Sequence, residues 1–275
     1  MNKNNPIVVF DSGVGSYSIV RVLQKKLPLE SIIYLADRAS FPYGGKTHKE
    51  LREIIYKTIQ WFEQRYSPKV IVIASNTPSI QVLSEITPHI STKLIGVFPP
   101  IENAVSVSKT KHIAILATKG AVNSNEINEF IKSKRLPANI KILKVNASRL
   151  VDLVEPGIFQ IDSKKTIATI NSVINPILKD NIDIDTMTLS STHLPFLRDY
   201  FEKLYPNINF LDPAEMVVNE VKKYLNKKSL FSPKSGKLTI LSTLDRERKF
   251  SLENLKGIFQ NLGLRTKIKE IAIDN

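Results

Sequence analysis

The chain has 275 residues, 42% of them hydrophobic and 24% charged, the balance of a soluble globular protein with material for one large or two medium domains. It contains no cysteine, which excludes disulfides, thiolate metal sites and thiol catalysis together. No apolar run approaches the roughly 20 residues of a membrane span, and residues 1–5 lead into a strand-like run without a signal-type segment, so a cytoplasmic setting without membrane contact is expected.

Taken in chain order, short β-rich apolar runs alternate with longer stretches of helical period. A strand is expected at 7–10, a helix at 17–26, strands at 31–35 and 70–74 around a helix at 49–66, then strands at 94–97 and 112–117. A helix at 124–134, a strand at 140–143, a helix at 164–179, a strand at 186–189 and a helix at 214–226 follow. Trp61, Phe62 and Tyr66 fall at helical spacing and read as core packing. This alternation predicts an α/β fold with mainly parallel sheets and right-handed crossovers.

The chain also echoes itself. Asp11-Ser12-Gly13 follows the first strand, and Ser75-Asn76-Thr77 follows another 64 residues on. Thr118-Lys119-Gly120 and Ser191-Thr192-His193 repeat the scheme at a separation of 73 residues. Two pseudosymmetric three-layer α/β domains are implied, one of residues 1–97 plus 207–275 and one of 98–206, with the crossings at Val97-Phe98-Pro99-Pro100 and at Leu204-Tyr205-Pro206-Asn207. Ligands of open α/β sheets bind beyond the carboxyl ends of the strands, so the polar tips are expected to face each other across an interdomain pocket.

Several of these tips carry chemistry-bearing residues. Gly13 and Gly15 after the first strand let backbone N–H groups approach an anion, but the G-x-G-x-x-G spacing and a Walker lysine are both missing, which argues against a dinucleotide or P-loop reading. Pro42-Tyr43-Gly44-Gly45-Lys46 reads locally as a turn. His48, His89 and His112 have no partners at metal-ligand spacing, so no metal site is expected. Lys46 and Lys119 follow turns, as solvated lysines or as partners of a substrate carboxylate.

In this order Asp11-Ser12-Gly13-Val14-Gly15, Pro42-Tyr43-Gly44-Gly45-Lys46, Asn76-Thr77, Ala117-Thr118-Lys119-Gly120 with Asn123-Ser124, Leu153-Val154-Glu155-Pro156-Gly157, and Thr192-His193 with Pro195 resemble the glutamate racemase family, within the aspartate/glutamate racemase superfamily. The segment 238–273, with Ser242-Thr243-Leu244-Asp245, is similar to the closing strand and helix of that family. The resemblance covers nearly the whole chain.

It implies cofactor-independent inversion at the Cα of an acidic amino acid, in which two cysteines on opposite faces of the substrate serve as base and acid. Ser75 and Ser191 occupy the positions of those cysteines. Asp11, Glu155 and His193 match the polar residues that assist them, and Ser12, Pro42, Tyr43, Gly44, Asn76, Thr77, Thr118 and Thr192 match groups that contact substrate. A homodimer, a small acidic amino acid or dicarboxylate as ligand, and no cofactor are further implications.

The departure is large in energy. A thiol starts from a pKa of about 8.5 and an aliphatic hydroxyl several units higher, at about 1.4 kcal/mol per unit. Racemisation is therefore expected to be feeble or lost. Two other readings stand beside it: a ligand-binding or regulatory protein on the racemase fold, and a serine-dependent hydrolase in which His193, oriented by Asp11 or Glu155, activates Ser191. No G-x-S-x-G elbow surrounds either serine, and either hydroxyl could instead cap a following helix.

The net charge of +13 is uneven. Between positions 222 and 269 thirteen Lys or Arg stand against Asp245, Glu247 and Glu253, so ten of the thirteen excess charges lie there. Nucleic acid, anionic lipid or acidic metabolites are the partners such charge would attract. The cations are scattered through amphipathic segments without interleaved aromatics, which favours a solvated basic surface.

Overall fold

A computed structural model describes residues 2–244, 252–262 and 267–273. The described strands are β1 (Ile7–Asp11), β2 (Ile32–Ala36), β3 (Val70–Ile73), β4 (Lys93–Gly96), β5 (His112–Ala117), β6 (Lys141–Asn146), β7 (Ile184–Leu189), β8 (Asn209–Leu211), β9 (Leu238–Thr243) and β10 (Ile268–Ile271). They form two sheets, ordered β10-β9-β2-β1-β3-β4 and β6-β5-β7-β8, and every pairing is parallel. The chain divides into two compact units, residues 1–97 with 214–275 and residues 98–213.

The return to the first unit falls at Ala214 rather than at 207, because β8 pairs in parallel with β7. Leaving aside β9 and β10, both sheets carry one order: in each, the first two strands in sequence stand reversed, followed by the third and fourth. That order places a switch point between β1 and β3 in one unit and between β5 and β7 in the other, the places where doubly wound sheets bind ligands.

The inner strands are sealed on both faces, as expected when helices cover a parallel sheet on either side. β1 and β3 are buried at every position. The helices over the first sheet are α1 (Tyr17–Lys26) and α2 (His48–Tyr66), with the short α3 (Asn76–Gln81) and α4 (Leu83–Ile86) between β3 and β4. α2 starts with a reciprocal capping box, Thr47 accepting from the Glu50 N–H while the Glu50 carboxylate accepts from the Thr47 N–H. Its Leu51, Ile55, Ile59 and Phe62 form one fully buried stripe that packs with Phe10, Ile71 and Ile73 of the sheet.

The second unit carries α5 (Ile101–Val107), α6 (Lys119–Val122), α7 (Asn125–Ser133), α8 (Ser148–Val154), α9 (Ile158–Ile161), α10 (Ser163–Asp180) and α11 (Arg198–Leu204). Ile101, Ile115, Ala117, Ala121 and Val122 form its buried cluster. Gly157, between α8 and α9, holds φ at 78°, which glycine adopts at no steric cost. α12 (Ala214–Lys227) returns to the first sheet, and α13 (Leu252–Asn261) lies between β9 and β10 in the chain.

At the opposite end of the first unit, Lys69 is fully buried and ion-paired with Glu30. Its ammonium also donates to Lys3 O and Leu230 O at 2.8 and 3.0 Å, while Glu30 Oε1 accepts from the Ser232 N–H at 2.9 Å. One ion pair thus ties the N-terminal segment, β3 and the run into β9. No helix among the described residues is long and apolar enough to cross a membrane.

Candidate functional site

At the first switch point the polar groups follow directly from strand ends. The ladder continues past β1 and β3 through Ala74 N–H to Phe10 O at 2.8 Å, so Asp11-Ser12 and Ser75-Asn76 leave the sheet side by side. Asp11 Oδ1 accepts from the Ser12 N–H at 2.7 Å. Ser75 stands at the cap position of α3 in an extended conformation, with φ −143° and ψ 131°, but its hydroxyl makes no capping bond. Ser79, one turn on, binds the turn in its place: its hydroxyl lies 3.1 Å from Ile73 O and 2.7 Å from Ser75 O and accepts from the Val97 N–H at 2.9 Å.

Asn76 is 6% exposed, and its Nδ2 and Oδ1, both cut off from solvent, have no hydrogen-bond partner among the described residues. Buried amides are almost always paired, and leaving one unpaired costs about 1–3 kcal/mol per group. Thr77 is buried beside it at 7% exposure.

Tyr43 joins this tip from the loop after β2, while Pro42 and Gly44 on either side are exposed. Its N–H donates to Ser12 Oγ at 3.3 Å and its hydroxyl to Asp37 Oδ2 at 3.0 Å. Asp37 Oδ1 accepts from Thr243 Oγ1 at 2.8 Å, and Thr243 Oγ1 accepts in turn from the Ala39 N–H at 2.8 Å. Burial pushes the Asp37 carboxyl up; hydrogen bonds from Ser40, Thr243 and Tyr43 and the charge of Lys46 pull the other way. Burial and the neighbouring Asp37 and Asp11 carboxylates raise the Tyr43 phenol well above its usual range.

Sequence reasoning named Tyr43, missed Asp37, and named Thr243 only as part of the closing strand and helix. The available signal was position, since Asp37 follows β2 as Asp11 ends β1. These residues also border a cavity of about 390 Å³ in the same unit, lined by Asp37, Lys46, Glu53, Lys57, Thr243 and Ile271 among others.

The second switch point repeats the geometry. Ser190 N–H donates to Leu116 O at 2.8 Å, the counterpart of Ala74 to Phe10, and Ala147 N–H donates to Ala117 O at 2.7 Å as Asp37 N–H does to Asp11 O at 2.7 Å. By this register Ser191 is the topological equivalent of Ser75, and Thr118 of Ser12. Thr118 caps α6 through the Ala121 N–H at 3.4 Å, and the Lys119 N–H donates to Ser148 Oγ at 2.9 Å. The Lys119 side chain is exposed.

Ser191, Thr192 and His193 are 6, 4 and 7% exposed, and Glu155 is 7% exposed. His193 Nε2 lies 2.5 Å from Glu155 Oε2, and Nδ1 lies 3.4 Å from Ser191 Oγ. Glu155 reaches His193 from the end of α8, where it is the C-cap residue before Pro156-Gly157. The neighbouring Ser190 hydroxyl is paired with Thr188 Oγ1 at 2.7 Å.

The remaining histidines lie elsewhere: His48 contacts Glu85 at 2.9 Å, His112 pairs with Thr110 O at 2.9 Å, and His89 is exposed. Among the described residues no group of three or more His, Asp or Glu is arranged to hold a metal. Of the basic stretch, Lys222, Lys223, Lys227 and Lys228 are exposed on α12 or just beyond it. Asp245, Arg246, Glu247, Arg248, Lys249 and Arg265 lie outside the described residues.

Two parallel α/β units of the same strand order, each with hydroxyl, amide and carboxylate groups at its switch point, define a doubly wound α/β protein with polar strand tips. No protein-family model matches the chain. Its relatives include the glutamate racemase of Shewanella frigidimarina, 34% identical over 229 residues that cover 82% of this chain and 85% of that one. The glutamate racemase of Herpetosiphon aurantiacus is 31% identical over 239 residues, 86% of this chain and 91% of its own. Among solved structures, a glutamate racemase isoform from Bacillus anthracis superposes with a TM-score of 0.83 at 25% identity over 98% of both chains. The Escherichia coli glutamate racemase, in complex with L-glutamate and an activator, shares the fold with a TM-score of 0.83 at 23% identity over 98% of this chain and all of that one. The chain belongs to the glutamate racemase family.

Proposed function

We propose that this chain binds an acidic amino acid, glutamate or aspartate, through the polar groups at its strand tips, and that it inverts the Cα centre slowly or not at all. The unpaired amide of Asn76 carries this reading. A buried group offering both donors and an acceptor, beside the hydroxyls of Thr77 and Ser75, suits a ligand that carries both a carboxylate and an ammonium. The relative from Francisella tularensis was solved in complex with D-glutamate and the one from Escherichia coli with L-glutamate, which supports the ligand class.

In this proposal Ser75 and Ser191 stand where the family's cysteines stand. Ser12, Tyr43, Thr118 and Thr192 hold its polar groups, with Pro42 and Gly44 shaping the loop that carries Tyr43. Asp11, Glu155 and His193 support the two hydroxyls. Proton abstraction by serine would begin several pKa units above a thiol, at about 1.4 kcal/mol per unit, which removes several orders of magnitude from the rate. The same reading takes the protein as cofactor-independent, cytoplasmic and homodimeric.

Calorimetric titration with L- and D-glutamate and L- and D-aspartate tests it. Saturable binding of one of the four is expected, and Asn76→Ala is expected to weaken it by about 1–3 kcal/mol, or about 5- to 150-fold. Absence of binding by all four at millimolar concentration would refute the ligand assignment.

A further inference from the structure

We propose that Ser191, His193 and Glu155 form an activated serine that accepts the acyl group of a small carboxylic ester or thioester. All three side chains belong to one unit and form a continuous chain: Ser191 Oγ to His193 Nδ1 at 3.4 Å and His193 Nε2 to Glu155 Oε2 at 2.5 Å. A carboxylate can only accept, so Glu155 keeps the imidazole proton on Nε2 and leaves the Nδ1 lone pair facing the serine. The serine–histidine contact is long for a hydrogen bond to a hydroxyl. Catalytic pairs commonly show that length before substrate closes the site.

The two serines differ in this respect. Ser75 makes no side-chain capping bond and among the described residues has no side-chain base paired with it, whereas Ser191 has one, itself backed by a buried carboxylate. Ser190 is committed to Thr188 and is not the nucleophile. Replacing sulfur by oxygen penalises a carbon acid, because that reaction calls for the alkoxide in place of the thiolate. It does not penalise carbonyl attack in the same way, since the histidine takes the hydroxyl proton as the new C–O bond forms. Exposure of only 6% at Ser191 restricts the electrophile to a small acyl group.

In the first step Ser191 Oγ attacks the carbonyl carbon, His193 Nδ1 takes the hydroxyl proton, and the ester C–O or thioester C–S bond breaks as that proton passes to the leaving alcohol or thiol. Water then attacks the acyl-serine, giving one proton to His193, which returns it to Ser191 Oγ as the acid leaves. The net reaction is hydrolysis, and no other reactant is needed.

The test uses p-nitrophenyl acetate on the full chain, with stopped-time intact mass and peptide mapping. A burst of p-nitrophenolate equal to the protein concentration is expected, with the acetyl group on Ser191. Ser191→Ala should lose the burst, and His193→Gln should slow it more than about 100-fold, the usual contribution of a general base. Ser191→Cys should still be acylated at that position, which shows that the fold survives substitution there. Acetyl groups confined to lysines, or a burst of unchanged rate in His193→Gln, would overturn the proposal. The reagent carries no amino acid, so failure to bind glutamate and failure to acylate Ser191 are separate results.

Discussion

Ser191 is the register equivalent of Ser75, each one residue beyond the amide that bridges the first and third strands of its sheet. Their surroundings are not equivalent. The hydroxyl of Ser75 makes no capping bond, while that of Ser191 faces a histidine held by Glu155. A fold that repeats its topology has built two chemically different tips.

The Asp37–Tyr43 pair gives a pH signature. Burial raises the Asp37 carboxyl above its ordinary value, so the folded state holds a proton that the unfolded state has already released. Stability from this group is complete below the unfolded value of about 3.9 and is lost as pH rises through the folded value. Asp37→Asn abolishes that loss. In thermal melts, the variant's stability relative to the parent should improve steadily as pH rises from about 3 towards neutrality. A relative stability that stays flat or declines would refute the assignment.

Asp185 predicts the opposite slope. Partial burial raises its carboxyl, but hydrogen bonds from Ser108, Thr110, Thr186 and Lys109 outweigh this and lower it to about 2. The contribution is present above the unfolded value of about 3.9 and disappears as pH falls through about 2. Most of the group is solvated, so the effect is modest. Asp185→Asn should be less stable than the parent at pH 6, with the gap closing between pH 4 and 2. A gap that widens on acidification would contradict this.

The Lys69–Glu30 pair supports a mutational prediction. Lys69 is fully buried and Glu30 nearly so. Removing one partner strands a buried charge, so Lys69→Met should cost about 3–5 kcal/mol in denaturant unfolding. Combining it with Glu30→Leu should recover part of that loss, because two apolar groups replace both charges. Strictly additive single and double variants would show that the two side chains do not interact.

A backbone prediction comes from the same corner. A Cβ on Gly236 would lie 2.1 Å from Glu30 O, backbone that cannot move without disturbing β2. Gly236→Ala should lower the melting temperature, whereas Gly257→Ala on α13, where nothing lies within 4 Å, should leave it unchanged or raise it. Equal effects at the two positions would be inconsistent with the packing.

The architecture was legible wherever one physical signal dominated. Continuous apolar runs marked β1 and β3 because both their faces are covered. The stripe Leu51, Ile55, Ile59, Phe62 marked α2 within one residue. α3, α8 and α11 escaped notice, being six or seven residues long and starting at polar tips or next to a turn. β8 was missed for a related reason: three residues carry no period. β6 was read as 140–143 but runs from Lys141 to Asn146, because Lys144 and Asn146 lie on an outer strand most of whose residues are partly buried or exposed.

The polar tips were visible as hydroxyl and amide residues after strands, and their family resemblance set them in order. Their bonding was not. Asp37 meets Thr243 across 206 residues of sequence, a contact that only the adjacency of β2 and β9 creates. The unpaired state of the Asn76 amide likewise depends on what the fold fails to put beside it, which no local pattern records.

Exchange of the glutamate Cα proton in heavy water, followed by NMR, compares the parent chain with Ser75→Cys combined with Ser191→Cys and reads the effect of the two serines directly. Exchange in the double variant is expected to be at least about 100-fold faster than in the parent, because thiols ionise several units below hydroxyls. Parent and double variant exchanging at the same rate, fast or absent, would contradict it.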